Sequence, residues 1–499
     1  MVGARDNNCK VRSICIVGAG PSGLAAAKYF IAEEAFDRIV LFEQRDNVGG
    51  LWNHLPRPEA GKLASEVPQT DPNGGYGDGS PEDPLVCSPI YDLLETNIPR
   101  GLMGFSDQEW PSNCQLFPNH KTVLRYLEDY AQDVLHLIRF NNKVLDITQT
   151  SNGRWLIESR KTTHDQLPNQ SETFDAVLVA SGHFDVPYIP SVSGITAWHD
   201  TYPGSITHSK FYRHPSDFAD RKVVVVGNSA SGQDIANQVR SVSRKPLLQS
   251  SKAPAQASSA SKLEKPPIVK YETEGRCVHF ADGTVETNVD SILYCTGYFY
   301  SYPFLRSLQP PVITSGEYVE NLYQHMFYRP RPTLAFAALN QKIIPFPVAE
   351  AQCSMVSGVW AGRLRLPEES EMRRWEQRTL EDTGGGRNFH VLKFPKDADY
   401  INMLHDWAMN GTESSGESCA RCKEATPCNG AGKAAVGKGT LVRKEPPYWT
   451  EKEYWTRERF PEIKKAFQAF DEERHTKRSL EEVGFDFAKY KGDRWEWMV

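Results

Sequence analysis

The chain has 499 residues, enough for roughly two to four domains with a sizeable core. With 39% hydrophobic and 24% charged residues it has an ordinary globular composition, and a net charge of -6 argues against a nucleic-acid-binding surface. No run approaches the ~20 apolar residues of a membrane span, and residues 1–10 lack the apolar core of a signal peptide. A cytoplasmic protein without a membrane segment is therefore expected.

The first predicted strand is the apolar run up to Val17, followed by the turn Gly18-Ala19-Gly20-Pro21-Ser22-Gly23 and a helix over Leu24–Phe30. Strand, glycine turn and helix in that order predict a dinucleotide site. Gly18 permits the reversal, Gly20 lets the backbone approach a pyrophosphate, and Gly23 lets helix and strand pack closely. The helix N-terminus offers N–H groups and a positive dipole end to the phosphates. A second strand, Ile39–Phe42, ends in Glu43, twenty residues after Gly23. A carboxylate there accepts from ribose hydroxyls and repels a 2′-phosphate, so FAD or NAD is expected.

Residues 56–84 are rich in Pro, Gly and Asp and read as a surface excursion. A helix is predicted near Val123–Val134, strands near Lys143–Ile147 and Arg154–Ser159, and a buried strand over Phe174–Ala180 ending at Ser181-Gly182. A second unit then repeats the first pattern. The apolar run Val223–Val226 leads into Gly227-Asn228-Ser229-Ala230-Ser231-Gly232, followed by Gln233 and Asp234. Ser229 stands where the first turn has its middle glycine. The next predicted strand, Pro246–Lys252, carries no acid. By residue count Lys252 replaces Glu43, beside the hydroxyls of Ser250 and Ser251. This suits a 2′-phosphate and hence NADP. Arg244 could serve instead, and a solvated loop lysine is the alternative for Lys252.

Ser250–Lys265 reads as a low-complexity loop, Ala281-Asp282-Gly283-Thr284 as a hairpin, and Ser291–Cys295 as a strand ending at Thr296-Gly297. The layout predicts one nucleotide domain inserted in another. Residues 1–195 and 300–499 form the FAD-binding domain in two parts, 196–299 the NADP-binding domain, and about 409–440 a flexible insert. The ten cysteines are scattered and read as reduced thiols. Cys419, Cys422 and Cys428 have partial zinc spacing without a nearby fourth ligand, in a stretch with little to rigidify a site. No metal is expected.

Further motifs stand between and after the turns: Gly49-Gly50-Leu51-Trp52, Tyr91–Pro99 running on to Met103–Asp107, Tyr202-Pro203-Gly204 through His208 to Tyr212, and Thr296-Gly297-Tyr298. On these the chain resembles the flavin-containing monooxygenases over about residues 11–365, and their soluble fungal members in particular. Tyr202 departs from the family's phenylalanine. The resemblance implies an α/β fold with two Rossmann-type domains, FAD and NADP(H) as cofactors, and O2 as co-substrate. It implies that a flavin hydroperoxide oxygenates a nucleophilic N or S atom of a small molecule, as in N,N-dialkylaniline-type monooxygenases. It places Gly18 to Gly23, Glu43, Gly50, Leu51, Trp52, Thr96, Asn97 and Val144 at FAD. Tyr202, His208, Ser229 to Asp234, Ser251, Lys252, Thr296 and Gly297 go with NADP.

Asn97 is the expected catalytic residue, because a neutral amide can hydrogen-bond the reactive oxygen without delivering a proton. Read alone, it is equally a turn or capping residue before Pro99. Trp52 can pack on flavin or on plain core. His208 reads as structural, not as a general base, and Thr296-Gly297 as a strand-end turn. The related Baeyer–Villiger monooxygenases end the central motif with Trp, so Tyr212 favours N/S oxygenation over ketone oxygenation. A two-dinucleotide reductase is the third reading; it would want a redox Cys-x-x-Cys beside the flavin, and the only such pair in the sequence, Cys419 and Cys422, falls in the flexible insert, which counts against it. A homodimer remains open.

Overall fold

The computed structural model describes residues 11–54, 67–74, 87–163, 168–252, 260–410 and 443–496. The larger of two parallel sheets has seven strands. In spatial order they are Leu322–Tyr323, Phe327–Tyr328, Leu334–Phe336, Ala176–Val179, Ser13–Val17, Arg38–Phe42 and Ile138–Arg139. The last five run parallel, and the first two are an antiparallel edge. Ser13–Val17 is buried along its whole length, the reason it reads as an unbroken apolar run. Helix Pro21–Ala32 follows it and packs on helix Pro345–Trp360, where the Phe30 and Trp360 rings stack 5.4 Å apart.

The smaller sheet is entirely parallel, in the order Lys262–Lys265, Leu247–Ser250, Val223–Val226, Ser291–Tyr294 and Ile206–His208. Its strands all come from between residues 206 and 294, whereas those of the larger sheet come from 13–179 and 322–336. The fold is therefore α/β with two Rossmann-type units, the chain leaving the first to build the second and then returning. In each sheet the carboxyl edge of the strands is where a nucleotide binds.

Five local expectations are corrected. Phe174–Ala180 is two strands, Gln170–Phe174 and Ala176–Val179. They are parted by Asp175, whose carboxylate accepts from the Arg12 and Ser13 amides at 3.0 and 2.8 Å. The loop expected over Ser250–Lys265 ends in the strand Lys262–Lys265, which pairs with Leu247–Ser250. The strand expected to reach Lys252 stops at Ser250. Within the supposed excursion, Val67 and Gln69 are buried, and Gln69 pairs with Ile189. The helix near 123–134 begins at His120, where the Asn119 side chain accepts from the Thr122 amide, and is α-helical to Tyr130. The cysteine pair Cys419 and Cys422, with Cys428, lies outside the described residues.

Candidate active site

The two glycine turns are near copies. Gly18 has φ +103° and Gly227 φ +114°, a region that L side chains avoid. A Cβ on Gly18 would lie 2.8 Å from the Ala180 carbonyl oxygen, and one on Gly227 2.5 Å from that of Cys295. The Gly18 amide donates to Phe42 and the Gly227 amide to Ser250, each at 2.8 Å. A Cβ on Gly23 would sit 1.9 Å from the Gly18 oxygen, and one on Gly232 2.4 Å from that of Gly227. Among the described residues, neither N-cap residue, Gly20 of helix Pro21–Ala32 nor Ser229 of helix Ala230–Arg240, caps its helix with a side chain, which leaves first-turn amides available to a phosphate.

The middle position explains itself. Gly20 and Ser229 have the same extended backbone, φ -75° and -76°, which any residue adopts. A Cβ on Gly20 would make only ordinary van der Waals contact with the Gly50 Cα, at 3.5 Å, so the protein's own packing does not demand glycine there; the close approach of a pyrophosphate would. The Gly49–Trp52 turn is laid on the first glycine turn, with the Gly49 amide donating to Ala19 at 3.0 Å. Ser229, like Ala230 and Ser231, is exposed, so nothing demands a glycine in the second turn.

Glu43 is buried (3% exposed) and accepts from the Ala19 amide at 2.8 Å and the Arg45 amide at 2.9 Å. Its structural counterpart is Ser251, not Lys252, since Phe42 and Ser250 hold equivalent places beside the two turns. Counting residues misaligned the units by one because the second helix is one residue shorter, 11 against 12. The Ser251 hydroxyl is buried without a hydrogen-bond partner among the described residues, while Lys252 is exposed beside it. A serine where the first site has an acid removes the repulsion of a 2′-phosphate. Arg244 precedes its strand, at the opposite edge, and is engaged by the Asp220 carbonyl at 2.8 Å and by Asp290. It is not brought to the nucleotide edge.

The other predicted residues divide. His208 ends the strand Ile206–His208 at the nucleotide edge, fully buried, its Nδ1 accepting from the Lys210 amide at 3.1 Å. Burial pushes its pKa down to about 3, so it is neutral and a poor base. Tyr202 precedes the same strand, at the far edge. Its hydroxyl donates to the Thr273 carbonyl at 2.8 Å and its ring packs on Trp198, a role in domain packing. The Thr296 hydroxyl donates to the Tyr188 carbonyl, and the Gly297 carbonyl accepts from the Tyr188 amide at 2.9 Å: a strand-end turn. Trp52 is half-buried against the larger core, and the Leu51 carbonyl accepts from the Ser88 hydroxyl. Val144 is buried in a strand whose first residue, Asn142, donates its amide to Glu43 at 2.8 Å. Gln233 is exposed and donates its side-chain amide to the Asn228 carbonyl at 3.0 Å.

Asn97 lies on a segment, 87–99, that bridges the two units. On one side this segment meets the Gly49–Trp52 turn through Ser88, and His54 through Asp92 at 2.7 Å. On the other, the Tyr91 hydroxyl donates to Asp234 of helix Ala230–Arg240. Asp234, its pKa raised by burial, thus turns toward the bridge. Thr96 is buried; Asn97 is exposed, and no hydrogen bond of its side chain is found among the described residues. A groove of about 750 Å³ beside the following short helix Arg100–Met103 is lined by Phe105, Trp110, Tyr448 and Lys444 among others, but by none of the predicted site residues.

Sequence reasoning missed three supporting residues. Arg213, 5% exposed, donates to the carbonyls of Ser88 and Lys210 at 3.0 Å and of Ile90 at 3.3 Å, fastening the bridge to the second unit. Its position directly after Tyr212 was the available signal. Glu95 and Lys464 meet behind Asn97. Thr450-x-x-Glu453, a capping box that opens helix Glu451–Gln468, announced the element that carries Lys464.

Comparison with known proteins agrees with this geometry. The profile described as flavin-binding monooxygenase-like matches residues 81–262 and 260–412, and one for an NAD(P)-binding Rossmann-like domain matches 16–65. The chain is 32% identical over 425 residues to the flavin-containing monooxygenase FMO GS-OX-like 9 of Arabidopsis thaliana, covering 79% of this chain and 88% of the relative. It is 32% identical over 372 residues to the thiol-specific monooxygenase of Saccharomyces cerevisiae, covering 71% and 78%. Among solved structures, the S-allyl-L-cysteine S-oxygenase of Allium sativum superposes with a TM-score of 0.71 at 26% identity, covering 95% of this chain and 96% of that one. Among the described residues no helix is long and apolar enough to cross a membrane. With two matched dinucleotide cradles suited to FAD and NADP(H), the chain belongs to the flavin-containing monooxygenase family.

Proposed function

We propose that this enzyme uses NADPH and O2 to place one oxygen atom on a soft nucleophile, a thioether or thiol sulfur or an amine nitrogen. Bound FAD supplies the redox chemistry that makes dioxygen an atom donor. The protein residues bind, orient and exclude water. Gly18 to Gly23 and the free amides of helix Pro21–Ala32 take the FAD pyrophosphate, and Glu43 its ribose. Gly227 to Gly232 take that of NADP, with Ser251 and Lys252 at the 2′-phosphate. Trp52 packs along the flavin.

The observation that carries this reading is Asn97. Its carboxamide is exposed, unbonded among the described residues, and held on a segment pinned to both nucleotide units. An amide donates a hydrogen bond to the oxygen awaiting transfer and cannot release a proton, which guards against loss as hydrogen peroxide. The neutral His208 likewise brings no proton. A sulfur or amine lone pair needs no general base. The S-oxygenating relatives support sulfur as the first substrate class to try.

The test replaces Asn97 with Ala and follows NADPH, sulfoxide and peroxide together. FAD should remain bound and NADPH oxidation continue, while product gives way to peroxide. Unchanged sulfoxide yield per NADPH removes Asn97 from the chemistry. Ketone turnover in preference to thioethers and amines would instead establish a Baeyer–Villiger enzyme, whose fold is shared.

A further inference from the structure

The flavin-binding monooxygenase-like match ends at residue 412, yet the chain continues into helix Glu451–Gln468, which returns to the Asn97 segment. Its docking is hydrophobic: Ile463 and Phe467 pack with Leu116, Phe117 and Val483 in a cluster of their own. The Leu116 amide also donates to the Lys477 carbonyl at 2.8 Å.

From this helix the ammonium of Lys464, 13% exposed, donates to the Thr96 carbonyl at 3.0 Å. That oxygen belongs to the peptide bond leading into Asn97. The flanking bonds stay within residues 96–118. The Thr96 amide donates to Pro118 at 2.9 Å and its hydroxyl to Ile98 at 2.9 Å. Among the described residues, Lys464 is thus the contact that reaches this peptide from beyond residue 118. Its head lies over the Phe117 ring, 4.5 Å from the centroid, and 3.5 Å from Glu95. Glu95 is held in turn by Arg474 at 3.3 Å and His475 at 3.5 Å. Asp234, on the NADP-side helix, also lies within electrostatic range of Lys464.

We propose that Lys464 is a positioning residue. It fixes the Thr96–Asn97 peptide from behind, so that the Asn97 amide is presented at one angle, and the C-terminal region thereby completes the oxygenating site. The bond goes to a backbone oxygen from a cation, the stronger kind of hydrogen bond, in a place where water cannot substitute. The proposal rests on the reading of Asn97 given above.

Three variants of the full-length holoenzyme test it: Lys464→Met, Lys464→Arg, and Glu95→Gln combined with Lys464→Met. The last removes the Glu95 charge together with its Lys464 partner, which separates charge balance from positioning. Lys464→Met should keep its flavin and continue to oxidise NADPH. Its peroxide-to-product ratio should rise roughly tenfold, as for loss of one charge-assisted hydrogen bond to a positioned group. Amide hydrogen exchange in 91–99 should quicken. Lys464→Arg should restore coupling, while the double variant should regain stability and remain uncoupled. A coupled double variant would show that Lys464 only neutralises Glu95, and would overturn the proposal. Asn97→Ala in the same assay separates the two ideas. If it uncouples and Lys464→Met does not, only the positioning role fails; if Asn97→Ala stays coupled, the reading of Asn97 fails. Unaltered exchange in 91–99 overturns the positioning role in either case.

Discussion

Replacing one glycine in each turn with alanine separates the two nucleotide sites. In Gly23→Ala the new Cβ meets the Gly18 carbonyl oxygen at 1.9 Å, and in Gly232→Ala it meets the Gly227 oxygen at 2.4 Å. Real Cβ atoms do not approach closer than 3.0 Å, so helix and strand must part by about 1 Å in the first case and about half that in the second. The obstacle is backbone and cannot rotate aside. Overpacking of this kind costs ~1–3 kcal/mol, with Gly23→Ala at the upper end and Gly232→Ala in the lower half. The displacement opens the phosphate cradle itself, so the cost falls on ligand affinity, where ~1.4 kcal/mol is tenfold. Gly23→Ala should lose FAD affinity about a hundredfold, read as flavin absorbance per polypeptide after gel filtration. Gly232→Ala should keep its flavin and raise the NADPH KM roughly tenfold. A colourless Gly232→Ala protein, or a Gly23→Ala protein with full flavin and weakened NADPH, would reverse the assignment.

Two further outcomes are expected. Lys252→Ala should weaken NADPH by ~1.5–3 kcal/mol, about 10- to 150-fold, with little effect on NADH, because Arg244 is engaged elsewhere. Equal loss for both nucleotides, measured as KM, would move the 2′-phosphate away from the Ser251–Lys252 edge. His208 tests the buried neutral imidazole. Its folded pKa of about 3 lies below the unfolded value near 6.5, so the unfolded chain binds the extra proton. Stability should therefore fall as pH drops from about 6.5 toward 3, by up to ~1.4 kcal/mol per pH unit for this group. His208→Asn should lessen that slope by one proton in denaturant titrations against pH. An unchanged slope would show that His208 is charged or exposed.

Much of the site was legible in the chain because its chemistry is local. A glycine turn between an apolar strand and a helix is a backbone demand, and both cradles follow from it. Glu43 stood out as the acid that ends a strand of apolar residues, and its buried carboxylate accepts from the Ala19 and Arg45 amides. What failed depended on register or distance. Counting put Lys252 in the place that parallel pairing gives to Ser251. Tyr202 shares a motif with His208, yet the strand Ile206–His208 carries the two to opposite edges. Asp175 breaks a run that looks continuous, because its carboxylate serves the amides of a strand 162 residues away. Lys464 and Glu95 meet across 369 residues, which no local pattern announces.

The central claim is that an oxygen atom from O2 reaches a nucleophilic atom of a small molecule at the expense of NADPH. Turnover of a simple thioether under ¹⁸O₂, with NADPH, sulfoxide and peroxide counted together, tests it most directly. The account predicts sulfoxide carrying the label, formed in step with NADPH oxidised. Flavin-bound enzyme that oxidises NADPH and gives only peroxide, with thioether and amine alike recovered unlabelled, would contradict it.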